Sequence, residues 1–349
     1  MPRIAIIGAG LSGLAAGFQL AETEAEIVLF EKSKGFSGRA ASRSKNGCRY
    51  DYGANYFKVN CNDVAALLFR DLPTDGLCRI MGDVWTFSSD GSIEAGDPGL
   101  NAGAKWSYKG GISTLGKLMV EVGSLQVERE TTITKLENEN DSWNLIDDQL
   151  NSYDGFDAVL MTPPAPQSIA LLHQSEVEFN LIETLTAELA QSRYHSQFCV
   201  ALNFAGEFSF PGQSYALINS DREHAVAWVS HENQKADHVP SGETLLIAQM
   251  APAWTKDHYE DPQEDIIKAA HEAVSDLLGS DLPPLQWADT QRWKYAHPYS
   301  AASLEAMKPG AEVGLFFAGD AFIGKGRIPR AIETGVAAAR QLRQHFGIE

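Results

Sequence analysis

Apolar residues in this chain gather in short runs broken by glycine, and the first run already sets a topology. Ile4-Ala5-Ile6-Ile7 stops at Gly8-Ala9-Gly10-Leu11-Ser12-Gly13, helix formers follow to Leu20, and a second run, Ile27-Val28-Leu29-Phe30, ends on Glu31. That pattern predicts strand, glycine turn, helix, strand and acid. Further along, it predicts helices over 63–70 and 113–122, and a strand pair at 84–88 and 92–94 turning at Asp90-Gly91. Short strands are expected near 125–127, 132–137 and 143–146, the last two joined by a polar turn at 138–141. Residues 157–162 read as a buried strand stopped by Pro163-Pro164. Helical stretches at about 166–173 and 178–192 precede β-rich segments at 197–204, 214–218, 225–230 and 244–250. A long helix near 262–278 leads to a strand around 285–295. The closing apolar run from Val313 ends at Gly319-Asp320, and Pro329 fits the first turn of a final helix through Arg343. Strands at both chain ends and one in the middle therefore share one sheet, and the β-rich residues between them form a second lobe.

The glycine turn supplies the first candidate chemistry. Gly8 permits the tight turn, Gly10 lets a pyrophosphate approach the backbone, and Gly13 brings helix and strand together. The helix N-terminus offers N–H groups and partial positive charge to phosphates. Glu31 follows where a carboxylate accepts the ribose hydroxyls of an adenosine. A glycine-rich turn without a ligand shares the motif, but the full strand–turn–helix–strand–acid context favours a dinucleotide site.

Composition narrows the classes. The 349 residues allow two domains or two lobes of interleaved segments, and 44% hydrophobic with 21% charged residues is ordinary for a soluble globular protein. A formal charge of −18 argues against a nucleic-acid partner. An anionic substrate needs a local basic pocket within this acidic shell. Cys48, Cys61, Cys78 and Cys199 form no CxxC pair, which predicts reduced, mostly buried thiols and a cytoplasmic protein. No apolar stretch approaches the roughly 18 residues of a membrane span, and the apolar start lacks a signal peptide's core, so no membrane partner is expected. The nine histidines are dispersed, and His224, His231 and His238 show no metal-ligand spacing, so no metal is expected.

Several stretches together carry a resemblance. They are Phe30-Glu31-Lys32-Ser33-Lys34-Gly35, Gly38-Arg39-Ala40-Ala41-Ser42, Asp51-Tyr52-Gly53-Ala54-Asn55-Tyr56-Phe57, Thr162-Pro163-Pro164-Ala165-Pro166-Gln167, Arg292-Trp293-Lys294-Tyr295-Ala296-His297-Pro298 and Gly319-Asp320. Their order resembles the glutathione-reductase-type FAD fold of flavin amine oxidases and carotene desaturases, and most nearly the renalase family in its bacterial form. Two departures stand out: Ser37 replaces the first glycine of the usual Gly-Gly-Arg, and Asn55 replaces a common glutamine.

The resemblance implies an α/β fold: a Rossmann-like FAD-binding domain (1–62, 110–165 and 290–349) interleaved with an α+β substrate lobe on an antiparallel sheet (63–109 and 166–289). It implies noncovalent FAD, since no cysteine lies in the terminal segment. Contacts fall to Gly8, Gly10, Leu11, Ser12, Gly13, Glu31, Lys32, Gly38, Arg39, Ala54, Asn55, Tyr56, Thr162, Gly319, Asp320, Arg327 and Ile328. Arg39 would hold pyrophosphate or brace its loop, though a surface ion pair is the plainer reading. Ile133 would flank adenine through its backbone, or simply fill core. Asp320 would meet the ribityl chain or support the phosphate loop, or cap a turn. The final helix would point its positive end at the flavin pyrimidine, with Arg327 or Arg330 reinforcing it or facing solvent. Tyr56, Phe57, Trp228, Trp293 and Tyr295 could wall a flat pocket or serve as core, and Asn55, Asn233 and Lys235 are candidate polar contacts for substrate. The implied reaction is hydride transfer from nonstandard dihydronicotinamide isomers to flavin, with O2 reduced to H2O2. A flavin amine oxidase is the alternative. The reaction needs no catalytic base. The sequence leaves the oligomeric state open.

Overall fold

In the computed structural model, which describes residues 1–59, 61–139, 142–279 and 282–349, the uninterrupted apolar runs lie at the centre of a parallel sheet. Its five strands run in the order Leu315–Phe317, Ala158–Met161, Arg3–Ile7, Glu26–Glu31 and Gln126–Arg129. A strand covered on both faces has no polar side, which is why these runs do not alternate. Ile4 and Ile6 pack on one face with Leu14, Leu160, Ile332 and Ala339, beneath the helices Leu11–Leu20, Thr114–Val122 and Ile328–Phe346. Ala5 and Ile7 face the other way, against Phe30, Leu145, Val159 and Leu185. That second face is covered by a three-stranded meander (Ile133–Glu139, Ser142–Asp147, Ser152–Phe156) and by helices Ala165–His173 and Phe179–Leu189. Burying an isoleucine such as Ile4 or Ile6 completely contributes roughly 2 kcal/mol.

The second lobe is a seven-stranded sheet in the order Leu285–Pro298, Tyr194–Ala205, Glu243–Met250, Val226–His231, Ala216–Asn219, Val84–Phe87 and Ile93–Glu94. All its pairings are antiparallel except that of Val84–Phe87 with Ala216–Asn219. Ile266, Ala270, Val274 and Leu277 recur at helical spacing along Gln263–Leu278 and seal one face of this sheet.

Two expected boundaries need correction. Residues 290–298 belong to the second lobe, because the strand Leu285–Pro298 is hydrogen-bonded along its length to Tyr194–Ala205. Residues 166–189 belong to the nucleotide half, because the helices Ala165–His173 and Phe179–Leu189 pack on the parallel sheet. The helix expected over 63–70 is α-helical only from Asn62 to Ala66; Leu67–Asp71 is a π turn, closed by the Leu72 N–H on the Leu67 carbonyl. The turn expected at 138–141 falls partly on residues 140 and 141, outside the described residues. All four cysteines are free. Among the described residues no helix is long and apolar enough to cross a membrane.

Candidate functional site

The glycine loop sits where the first strand hands over to the first helix. Gly8 adopts φ +100°, a conformation that only glycine takes without strain. A Cβ on Gly13 would lie 2.1 Å from the Gly8 carbonyl oxygen, so the helix approaches the strand only because that atom is missing. A Cβ on Gly10, in contrast, would meet no protein atom within 4 Å. The helix that begins at Leu11 has no side-chain cap and no acid in its first turn, yet Leu11 and Ser12 are each only 5% exposed. A buried, uncapped helix start leaves its N–H groups without partners, which is what a bound phosphate supplies. Glu31, also buried, accepts hydrogen bonds from the Ala9 N–H at 2.9 Å and the Ser33 N–H at 2.8 Å. Each carboxylate oxygen keeps a lone pair for a ribose hydroxyl. Thr162 donates to the carbonyls of Ile7 at 2.8 Å and Gly8 at 3.1 Å, locking the loop from the neighbouring strand.

A second loop closes over the first. Gly38 lies against Gly10, its Cβ position 3.2 Å from the Gly10 Cα. Beyond it, Arg39 makes a two-pronged pair with Asp320: Nη2 donates to Oδ1 and Nη1 sits against Oδ2, both at 2.8 Å. Arg39 Nη1 also donates to the carbonyls of Tyr295 at 3.1 Å and Ala296 at 3.2 Å, and Tyr194 donates its hydroxyl to Asp320 Oδ1 at 3.0 Å. Of the readings open for these two residues, the geometry favours bracing. They hold each other and the loops that carry them. Ala54 donates its N–H to the Arg39 carbonyl at 3.0 Å. Thr334, on the final helix, shares a hydrogen bond with Ser12 at 2.9 Å and accepts the Gly319 N–H at 3.1 Å. The final helix thus starts beside the first, with Ile328 buried and Arg327 exposed at its uncapped end. Lys32 is exposed and reaches Gln167, while Ile133 is buried in the core with Phe30.

An aromatic wall lies across the interface. Tyr56 and Trp228 have ring centroids 6.1 Å apart, tilted by 28°, and Tyr215 meets both edge-on at 5.9 and 6.1 Å. Asn55 is held between them: its side-chain oxygen accepts from Ser230 at 3.2 Å and its carbonyl from Tyr215 at 3.4 Å. The Asn55 amide nitrogen has only a long contact of 3.4 Å to the Gly53 carbonyl. Burial pushes the Tyr56 phenol up, with Arg327 opposing the shift, so this hydroxyl stays protonated at neutral pH.

Three expected substrate contacts are placed elsewhere. Asn233 is a strand clamp, donating to the Glu243 carbonyl at 2.7 Å and accepting the Leu245 N–H at 3.1 Å. Trp293 stacks on Tyr52 at 5.6 Å and donates to its carbonyl. Lys235 lies behind the wall in a sealed ionic cluster. Its ammonium is 2.8 Å from Asp51 and 2.9 Å from Glu232, and Glu232 also faces His238 at 3.0 Å; all four side chains are 0% exposed. Burial lowers the Lys235 pKa, but Asp51 and Glu232 outweigh it and hold the ammonium well above its ordinary range. Asp51, Glu232 and His238 could together ligate a metal, but the Lys235 ammonium already supplies their cation.

Sequence reasoning missed the partners Tyr194, Tyr215 and Thr334. It also missed a histidine pair, His195 and His297, set opposite each other by strand register with ring centroids 5.2 Å apart. Burial, reinforced by His195, Arg327 and Arg39, lowers His297 to about 4.

The comparisons agree with this architecture. Residues 6–72 match the model of an NAD(P)-binding Rossmann-like domain, and residues 73–343 that of the flavin containing amine oxidoreductases. A mitochondrial protoporphyrinogen oxidase of Nicotiana tabacum is 38% identical over 66 residues, 19% of this chain and 13% of that protein. A 4,4'-diapophytoene desaturase of Staphylococcus aureus is 41% identical over 51 residues, 15% of this chain and 10% of its own length. The chain therefore covers about an eighth or less of these relatives. Among solved structures, a putative protoporphyrinogen oxidase from Exiguobacterium superposes with TM-score 0.79 at 16% identity, over 99% of both chains. A cyclohexylamine oxidase from Brevibacterium oxydans gives 0.73 at 12%, over 98% of this chain and 99% of its own.

Proposed function

The chain belongs to the flavin containing amine oxidoreductase family, and from that premise we propose that it is an FAD-dependent oxidase of the renalase kind. Its substrates on this reading are dihydronicotinamide dinucleotides carrying the hydride at the 2- or 6-position, as in α-NAD(P)H preparations, and the product is β-NAD(P)+. Bound FAD would supply the two-electron acceptor, and O2 would take up the hydride's two electrons and proton together with one proton from water to give H2O2. We assign its pyrophosphate to the uncapped helix start at Leu11–Gly13 and the space above Gly10, its ribose to Glu31, and its flavin end to the start of the final helix near Tyr56. Arg39 and Asp320 keep those loops in register.

The observation that carries the substrate reading is the Tyr56–Trp228 wall with the Asn55 amide beside it. A dihydronicotinamide brings its own hydride, so the protein has only to orient the ring. Flat aromatic faces suit that ring, and the Asn55 amide nitrogen is available to donate to its carboxamide. Tyr56 and Asn55 are both uncharged at neutral pH, so neither presents a charge to the ring.

An amine oxidase is the second reading, supported by the family itself and by the same aromatic wall, which suits a neutral amine. Anaerobic mixing of the yellow enzyme with 6-dihydro-NAD and with an amine panel separates the two. Rapid bleaching by the dinucleotide is expected. Bleaching by an amine with none by the dinucleotide would overturn the first reading.

A further inference from the structure

We propose that the cleft outside the Arg39–Asp320 clamp binds a nucleoside phosphate. This cleft, of about 580 Å3, opens between the helix Ala165–His173 of the nucleotide half and the strand ends of the second lobe. Its volume is that of a small-molecule site. Arg193, Lys256 and Lys294 line it with Tyr194, Tyr259 and Tyr295, and no acidic residue does. The chain has 46 acids against 28 Lys and Arg, so a lining with three cations and no acid is a locally basic exception. All three are exposed, and among the described residues none is in a salt bridge, so their charges are available to an anion.

The rings decide which anion. Tyr194 and Tyr295 meet edge-to-face at 5.9 Å and 72°, forming an aromatic corner, and the Lys294 ammonium is 5.5 Å from the Tyr295 centroid. Tyr194 is fixed by its hydrogen bond to Asp320, so its face is preorganised. A base packs on such a corner while phosphates meet the cations. Of two cation–tyrosine dipeptides, Arg193-Tyr194 leads into the strand Tyr194–Ala205 and Lys294-Tyr295 lies on its antiparallel neighbour Leu285–Pro298.

This assignment goes beyond the hydride-donor reading, because it follows from the cleft whatever reduces the flavin. An adenylate is also the far end of a dihydronicotinamide dinucleotide. ADP binding without flavin bleaching by 6-dihydro-NAD would keep the cleft and refute the donor.

The test is calorimetric titration of FAD-saturated enzyme with ADP, adenosine and inorganic pyrophosphate. ADP is expected to bind about tenfold more tightly than either fragment. The exposed double variant Arg193→Glu/Lys256→Glu should weaken ADP at least about tenfold while the flavin spectrum stays unchanged, and Arg193→Gln/Lys256→Gln should weaken it less. Four results overturn the proposal: no ADP binding at millimolar concentration, pyrophosphate as tight as ADP, unaltered affinity in the double variant, or release of free flavin by ADP.

Discussion

The two halves of this protein build their parts of the site from different materials. In the nucleotide half the working surface is backbone: N–H groups at an uncapped helix start, a loop at φ +100°, and a helix–strand contact that no Cβ survives. Where that half meets the second lobe it is side chains, an aromatic wall backed by four buried ionisable groups. A backbone site depends on a few missing atoms within a short stretch. The side-chain site depends on partners brought from far along the chain, such as Asp51 and Lys235. The first folds only with glycine at Gly8 and Gly13; the second should fail through its hidden charges before its visible rings.

Four substitutions sharpen that contrast, in falling order of effect. Lys235→Met leaves Asp51 and Glu232 buried without their cation and should cost about 3–5 kcal/mol in urea unfolding. A loss below about 1 kcal/mol would mean that the cluster is not what supports the wall. Gly13→Ala drives a methyl group into the Gly8 carbonyl and should cost about 3 kcal/mol, with a colourless product. Retention of yellow colour and full stability would remove the close-approach argument.

The third concerns the seam. His297 is held to about 4 against an ordinary 6.5, so between those values the unfolded chain binds more protons than the folded one. This residue's contribution is therefore complete above pH 6.5 and is lost as pH falls toward 4, by about 3 kcal/mol. His297→Gln should flatten that limb of a urea-midpoint profile; an unchanged slope would assign it to other groups. The smallest stability effect belongs to Gly10→Ala, whose methyl meets no protein atom. Its melting temperature without cofactor should stay put while FAD affinity falls about tenfold, since the methyl occupies space assigned to pyrophosphate. If both change together, Gly10 serves the fold and not the ligand.

The same division explains what could be read in advance. The glycine turn, Glu31, Thr162 and the closing Gly319-Asp320 are legible because backbone geometry writes itself into consecutive residues. Arg39 and Asp320 were each recognisable, but their mutual pairing spans 281 positions, and no local pattern announces it. Asn233 and Lys235 looked like free polar groups of a loop. Their partners lie on Glu243–Met250 and at Asp51, visible only once the strands are paired. His195 and His297 looked dispersed for the same reason, since only the register of two long strands sets them face to face. The lobe boundary was misread because Leu285–Pro298 leads directly into the closing segment, and its hydrogen bonds, not its sequence position, decide its allegiance.

That strand has a mechanical consequence. Its edge belongs to one half, yet the carbonyls of Tyr295 and Ala296 grip the guanidinium of the other. Swinging the halves apart like jaws would tear that grip and release the phosphate loop. Opening of that kind carries the cost of those hydrogen bonds, a cost that passage of ligands through fixed apertures avoids.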